Sequence, residues 1–470
     1  MLAMFLAAVE GTIVTMATPT IVSDLHAFEL ISLVFSVYLL TTAISTPIYG
    51  KLADLYGRKN ILSIGICIFL AGSFLCGLSQ NMAMLVAFRA LQGLGAGAIL
   101  TVSYTIIGDN FTIEERSKVQ GALGMVWGIA SLVGPFLGGF LIDVLSWHWI
   151  FFINIPFGLL SVILLQKSLK ETFQKKKHSI DFAGTITLSL AMIVLLSIFL
   201  FNQGSNQYLF VTAAAAITIL LLFAFYRIER KAKEPIMPFN IFTKTSVIVN
   251  LISFLVYAVL MGIDVYIPLY LQNILGYGPT IAGVILLPMS VSWLIVSFVL
   301  GRFLVRYGGK RVTLVSNAVL VISTLLLPTL GINSHVLLVL VYCFVIGIGF
   351  GGVTTALITI VQDSVEYNKR GTAVAANSLL RTLGQTIGIS VFGNIFNLYI
   401  TKYFTGQGIK GVDPNNLYQG SASQNALAAE QIRLSLNSSI HVLFIVFIVI
   451  SCLSFVLTIT MPRIKGEERL

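Results

Sequence analysis

Two carboxylates stand where the chain has little else that is polar. Glu10 interrupts the run FLAAVEGTIV over 5–14, and Asp264 interrupts an apolar stretch over 246–270. Of the 19 acidic residues, these are the only two well inside apolar runs. Desolvation disfavours the charged form of any carboxyl, and a charge at a bilayer centre costs about 2.5–3.5 kcal/mol on insertion scales. An acid so placed is either a structural group bonded to a neighbouring helix or a group that takes up and releases protons. Arg89 and Gln92, one helical turn apart, form a second polar pair inside an apolar run, and an Arg there must face a partner or a cavity. The chain has no HExxH, no phosphate-binding P-loop and no nucleophile–His set, and its five histidines are scattered. Its four cysteines, Cys67, Cys76, Cys343 and Cys452, sit singly in apolar runs as small packing residues. No catalytic residue, no metal and no cofactor is expected.

The elements that hold these residues follow from composition. The 470 residues are 57% hydrophobic and 10% charged, against about 25% charged in an ordinary globular domain. A chain this apolar is a polytopic membrane protein. Fourteen windows are long enough to span, at 1–22, 30–50, 59–79, 82–107, 117–141, 147–167, 180–202, 206–226, 246–270, 278–302, 309–331, 334–360, 371–403 and 437–461.

The net charge of +10 is topology rather than a nucleic-acid surface. Alternate loops and the tail hold 24 of the 29 Lys and Arg, while the six short loops on the other side hold none. Positive loops stay cytoplasmic, which puts both termini in the cytoplasm and makes the span number even. Met1 opens directly into the first apolar run without a basic n-region, so the start is no signal peptide; a cytoplasmic leader ahead of it is an expectation. The polar stretch Thr405 to Leu436 reads as a loop without chemistry.

The chain repeats itself. GKLADLYGRK at 50–59 matches GRFLVRYGGK at 301–310, and a looser echo relates 116–134 to 370–388. A half-chain repeat in a polytopic protein marks a transporter built from two related bundles with a site between them. The expected division is a six-helix bundle over 1–167, a two-helix insert with basic linkers over 168–245, a second six-helix bundle over 246–461 and a tail over 462–470.

GKLADLYGRK resembles the signature between spans two and three of the major facilitator superfamily, and RALQGLGAGA at 89–98 resembles its fourth-span signature. The resemblance implies a conformational latch at Gly50, Asp54, Gly57 and Arg58. GMVWGIASLVGPFLGG at 124–139 resembles the fifth-span motif of the superfamily's antiporters, carried here by Gly124, Gly128, Gly134, Pro135, Gly138 and Gly139. Its glycines allow close helix packing and its proline favours a kink. EGTIVTMATPTI at 10–21, WHWIFFINIPFG at 147–158, YIPLYLQNILGYGPTIAG at 266–283 and RGTAVAANSLLRTLGQTIG at 370–388 are similar to the fourteen-span bacterial drug:proton antiporters. Two positions depart: Glu10 stands where that branch usually has Asp, and His148 where it has Arg.

The implied fold is the major facilitator fold, all-α, with two six-helix bundles, a two-helix insert and fourteen spans. Glu10 and Asp264 then lie on the opening helices of the two bundles and both could line the central cavity. Protons and a cationic substrate compete for these acids, with Arg89 either stabilising ionised Glu10 or helping its proton leave. Tyr38, Trp127, Tyr257 and Tyr266 are the candidate aromatic walls and Gln92, Asn154, Asn377 and Gln385 the polar contacts, since drug cavities are mostly apolar with few polar groups. The implied function is export of amphipathic, often cationic compounds (quaternary ammonium biocides, dyes, fluoroquinolones) by a monomer in the bacterial cytoplasmic membrane, driven by the proton gradient. An exporter of one physiological metabolite or lipid fits the same sequence.

Overall fold

The computed structural model describes residues 1–25, 31–169, 171, 181–200, 207–232, 239–277, 279–366, 369–409 and 429–462. Among them every regular element is helical. In chain order these are α1 (Leu2–Leu25), α2 (Ile31–Tyr56), α3 (Arg58–Gly77), α4 (Met82–Asn110), α5 (Ile113–Val144), α6 (Trp149–Phe152), α7 (Asn154–Ser168), α8 (Phe182–Leu200) and α9 (Gln207–Glu229), followed by α10 (Lys244–Asn273), α11 (Pro279–Tyr307), α12 (Gly309–Leu326), α13 (Val336–Asp363), α14 (Arg370–Gly406) and α15 (Ala429–Thr460). With α6 and α7 counted as one pass, each helix overlaps one of the fourteen apolar windows. Nine of the passes among the described residues are long and apolar enough to cross a membrane by length and composition.

Two boundaries differ from the sequence reading. The window at 147–167 breaks between α6 and α7, because Pro156 has no N–H to give to the carbonyl of Phe152. The expected loop from Thr405 to Leu436 is helical at both ends, with α14 running to Gly406 and α15 starting at Ala429. Arg433 ties that extension down by donating from Nε to the Ile274 carbonyl and from Nη2 to the Ile332 carbonyl, both at 2.6 Å. Residues 410–428, the rest of that loop, lie outside the described residues.

The packing repeats as the sequence does. α1 packs on α5 and α7, α4 lies between α2 and α3, and α3 also packs on α7. In the same relations α10 packs on α14 and α15, α13 lies between α11 and α12, and α12 packs on α15. α8 and α9 form a hairpin whose first helix rests on α2 and α14. The two groups meet through α2 against α14 and α5 against α11, with a smaller contact of α4 on α14.

The repeat is visible in single dihedral angles. Gly57, at φ 93° and ψ 142°, starts α3, and Gly308, at φ 82° and ψ 158°, starts α12. That region of backbone space is essentially closed to side-chain-bearing residues and costs about 1–3 kcal/mol when forced. At Gly57 a Cβ would also come within 3.0 Å of Glu171 Oε2. Glu171 is needed there, because it accepts from the backbone N–H groups of Arg58 at 2.7 Å and Lys59 at 3.0 Å, two of the free donors at the start of α3. Gly276 also has a positive φ, 77°, but faces open space. Gly57→Ala therefore lowers the thermal unfolding midpoint in detergent by several degrees, and Gly276→Ala lowers it by less. Equal shifts would mean that the Glu171 contact contributes nothing.

Candidate functional site

The interior acid of the first helix is sealed inside an ion-pair cluster. Glu10 is fully buried and Arg89 is 1% exposed. Arg89 Nη1 donates to Glu10 Oε1 at 2.5 Å and to Gln92 Oε1 at 2.8 Å, and its Nε donates to the Val34 carbonyl at 3.3 Å. The other carboxylate oxygen accepts from Asn154 Nδ2 at 2.7 Å, and the same amide donates to Ser73 Oγ at 2.9 Å. Ser73 in turn donates to the Phe151 carbonyl. The Tyr38 ring lies under the guanidinium, 4.2 Å from its carbon. Five helices thus converge on one carboxylate: α1, α2, α3, α4 and α7.

Local sequence explains how α4 brings Arg89 so deep. In RALQGLGAGA, Gly93 lies against Thr41 and the Tyr38 carbonyl of α2, and Gly97 against Ser45 of α2, while Gly95 lies against Phe69 of α3. The glycines let α4 sit between two neighbours at backbone contact, and Thr42 Oγ1 donates across to the Gly93 carbonyl at 3.1 Å. Asn154, the first residue of α7, follows Ile153, which keeps helical dihedral angles, and its amide reaches Glu10. On the far side, Gly134 of α5 packs on Thr12 of α1, whose hydroxyl donates to the Ala130 carbonyl at 3.1 Å. Gly138 is buried; the surroundings of Gly124, Gly128, Pro135 and Gly139 in that stretch are not among those described.

The second interior acid has the opposite environment. Asp264 of α10 is exposed and makes no hydrogen bond or ion pair among the described residues. Tyr257, seven residues earlier on the same face, accepts a hydrogen bond from Arg381 Nη2 of α14, and its ring stacks 4.1 Å from the guanidinium carbon. Tyr104 of α4 approaches the same guanidinium at 5.4 Å, so Arg381 sits where the two helix groups meet.

The remaining expected contacts divide. Tyr38, Gln92 and Asn154, read from sequence as cavity residues, belong to the Glu10 cluster. Tyr266 is buried against Phe396 at 5.2 Å, on the opposite side of α10 from Asp264. Asn377 directs its amide to Asn250 Oδ1 and Ser253 Oγ, both at 2.9 Å, as a clasp between α14 and α10. Gln385 is partly exposed one turn beyond Arg381, and Trp127 is 42% exposed on α5.

The expected latch residues assemble across the two helix groups at the end where the basic loops lie. Asp54 Oδ2 accepts from both the backbone N–H and the hydroxyl of Thr372, each at 3.0 Å, at the start of α14. Arg58 joins Asp54 to Asp109, with both ion pairs at 2.9 Å. Arg370 Nη1 donates to the Gly108 carbonyl at 2.9 Å, and Gln362 Nε2 to the Tyr104 carbonyl at 3.0 Å. Gly50 makes this closure possible, because a Cβ there would collide with Ala375 and lie 2.9 Å from the Gly371 carbonyl. This end is closed. Among the described residues α1 and α10 form no extended contact. Thr372, Arg370, Gln362, Asp109, Glu171 and Ser73 have no mark in the sequence, since each is an ordinary polar residue until the partner helix arrives.

Two outcomes follow from this geometry. Arg89→Gln leaves a buried carboxylate without its cation, a loss of about 3–5 kcal/mol. The double variant Glu10→Gln with Arg89→Gln melts at a higher temperature than Arg89→Gln alone. A double variant no more stable than the single one would refute the coupling. Asp54→Asn removes a charge-assisted acceptor, worth about 1.5–3 kcal/mol, from the start of α14. Backbone hydrogen exchange over 370–376 rises about tenfold or more on that scale, and unchanged exchange would show that Asp54 does not hold the closure.

Comparison with known proteins places this architecture. The sequence profile of the Major Facilitator Superfamily matches residues 1–389. "Multidrug resistance protein 3" of Bacillus subtilis is 34% identical over 442 residues, covering 90% of this chain and 86% of its own. "Multidrug efflux pump SdrM" of Staphylococcus aureus is 33% identical over 399 residues, covering 84% and 88%. Among solved structures, the human organic anion transporter MFSD10 superposes with a TM-score of 0.69 at 12% identity, covering 97% of each chain. The proton:xylose symporter XylE gives 0.64 at 13% identity, covering 98% and 94%. These proteins are transporters rather than enzymes, and the chain, a multi-pass membrane protein, belongs to the major facilitator superfamily.

Proposed function

We propose that this protein is a proton-coupled exporter of amphipathic, often cationic compounds, acting as a monomer in the bacterial cytoplasmic membrane. Two curated relatives named for multidrug resistance and efflux support the substrate class. The basic loops support a cytoplasmic placement for the closed end and for both termini. On that placement the closed end faces the cytoplasm and the site between the bundles opens outward. The bundles are 1–167 and 246–461, and the hairpin of α8 and α9, within 168–245, is an insert lying outside the repeated packing.

The observation that carries the reading is the unequal state of the two interior acids. Glu10 is paired with Arg89, hydrogen-bonded by Asn154 and sealed from water, whereas Asp264 is open and unpaired among the described residues. A proton that reaches Glu10 dissolves the ion pair and frees Arg89, which must then find other acceptors. Protonation is thereby coupled to rearrangement of five helices. Asp264 is free to balance the charge of a bound cation. Exchange of one proton for one monovalent cation moves no net charge, while a second proton adds about 2.3 kcal/mol per 100 mV of membrane potential.

The test is proton release from acidified inside-out vesicles on addition of ethidium or benzalkonium, read with a lumenal pH dye. Wild type releases protons, Glu10→Gln does not, and Asp264→Asn loses the dependence on membrane potential or narrows the range of cations accepted. A folded wild type that responds to no compound would overturn the drug reading in favour of a single metabolite or lipid. Asp264→Asn with wild-type rates under both gradients would remove the second acid from the mechanism.

A further inference from the structure

The reading above leaves one interior charge unused. Arg381 is partly buried about three turns into α14, and among the described residues no carboxylate pairs with it. The other arginines tied into the helix contacts each reach a carboxylate or two backbone carbonyls. Arg89 has Glu10, Arg58 has Asp54 and Asp109, Arg370 has the Gly108 and Gln362 carbonyls, and Arg433 has the Ile274 and Ile332 carbonyls. Arg381 has only neutral partners, the phenols and ring faces of Tyr257 and Tyr104. Such contacts orient a guanidinium and attract its charge without neutralising it. The bond to Tyr257 uses one nitrogen, and the guanidinium carries five donors in a planar fork matched to a carboxylate.

Its position relative to Asp264 gives the proposal a shape. Tyr257, which holds Arg381, and Asp264 are seven residues apart on α10. They therefore share a face and lie about 10 Å apart along the axis. One wall between the two helix groups thus carries an uncompensated cation near the closed end and an uncompensated anion two turns toward the other end. Gln385, one turn beyond Arg381 on α14, adds an amide with no hydrogen-bond partner among the described residues.

Resting on the export reading, we infer that Arg381 and Asp264 are the two poles of one substrate site. Arg381 takes an organic carboxylate and Asp264 the cationic nitrogen of the same amphiphile, so zwitterions are preferred over the matching cations. A ligand with both charges leaves neither protein charge uncompensated. A simple cation satisfies Asp264 and leaves Arg381 bare.

The test compares rhodamine B, a zwitterion at neutral pH, with its ethyl ester, a cation of nearly the same size and shape. Fluorescence anisotropy reads the binding of each to the full-length protein in nanodiscs. Wild type binds the acid about tenfold or more tighter than the ester, the scale of one charge-assisted pair. Arg381→Gln brings the ratio close to one by weakening the acid, and Arg381→Lys, which keeps a point charge without the fork, retains part of it. Equal affinities in wild type, no rhodamine B binding to the folded protein, or an Arg381→Gln variant that keeps the ratio would each overturn the assignment. The wild-type ratio needs no variant, so a misfolded substitution does not obscure it. The same compounds in inside-out vesicles separate the two readings. Driven ethidium transport with a binding ratio near one preserves export and removes the Arg381 site. An Arg381-dependent ratio with no driven transport of any compound preserves the site and removes export.

Discussion

The structure depends on the pairing of Glu10 with Arg89. Each charge alone in an apolar interior costs several kcal/mol, and together they are tolerated only when the remaining donors and acceptors are also satisfied. Here Asn154 takes the second carboxylate oxygen, Gln92 and the Val34 carbonyl take further guanidinium protons, and Tyr38 covers the flat face. Only the Gln92 amide nitrogen in this group is left without a partner, and the demand of the carboxylate and the guanidinium for partners explains the local architecture. α4 needs its glycine stretch to carry Arg89 to the depth of Glu10, and α7 presents the Asn154 amide from its first residue. Ser73 must then hold that amide in place.

The closure at the basic end is built by other means. Asp54, Arg58, Asp109 and Arg370 sit at helix ends, where side chains meet free backbone donors and acceptors as well as one another. Asp54 caps α14 with the same chemistry that Glu171 uses on α3, except that α14 belongs to the other half of the repeat. A cap within one bundle is permanent, whereas a cap between bundles is released whenever they part. Contacts of this kind are individually modest and break one at a time. The Glu10 cluster, with five helices tied to one carboxylate, breaks as a unit.

The fold was legible in the sequence for physical reasons. Spans, their alternating basic loops and the repeat are statistical properties of long segments, and Gly57 and Gly308 announced the same turn twice. Glu10, Asp264 and Arg89 stood out because ionised groups are rare in apolar runs. What the sequence did not show is the tertiary pairing of individual residues. Asn154, Gln92 and Tyr38 read as cavity walls because a polar or aromatic residue in a span carries no mark of which neighbour it serves. Tyr266 read the same way and instead packs on Phe396, on the far side of α10 from Asp264. Asp109, Glu171 and Thr372 were invisible, since their partners lie at least 51 residues away in the chain, as with Arg58 and Asp109.

The two halves share a packing plan and differ in how they treat charge. In the first, an acid and a base are brought together and close each other off. In the second, Asp264 and Arg381 form no pair, and Arg381 is held by Tyr257, which lies about 10 Å along α10 from Asp264. Opposite charges in a low-dielectric interior attract strongly when close, and the first half uses that attraction for its own cohesion. Keeping the second pair separated forgoes it, and the separation is enforced by Tyr257, which fixes Arg381 from the side. The same fold thus holds one half whose interior charges answer each other and one half in which Asp264 and Arg381 do not pair among the described residues.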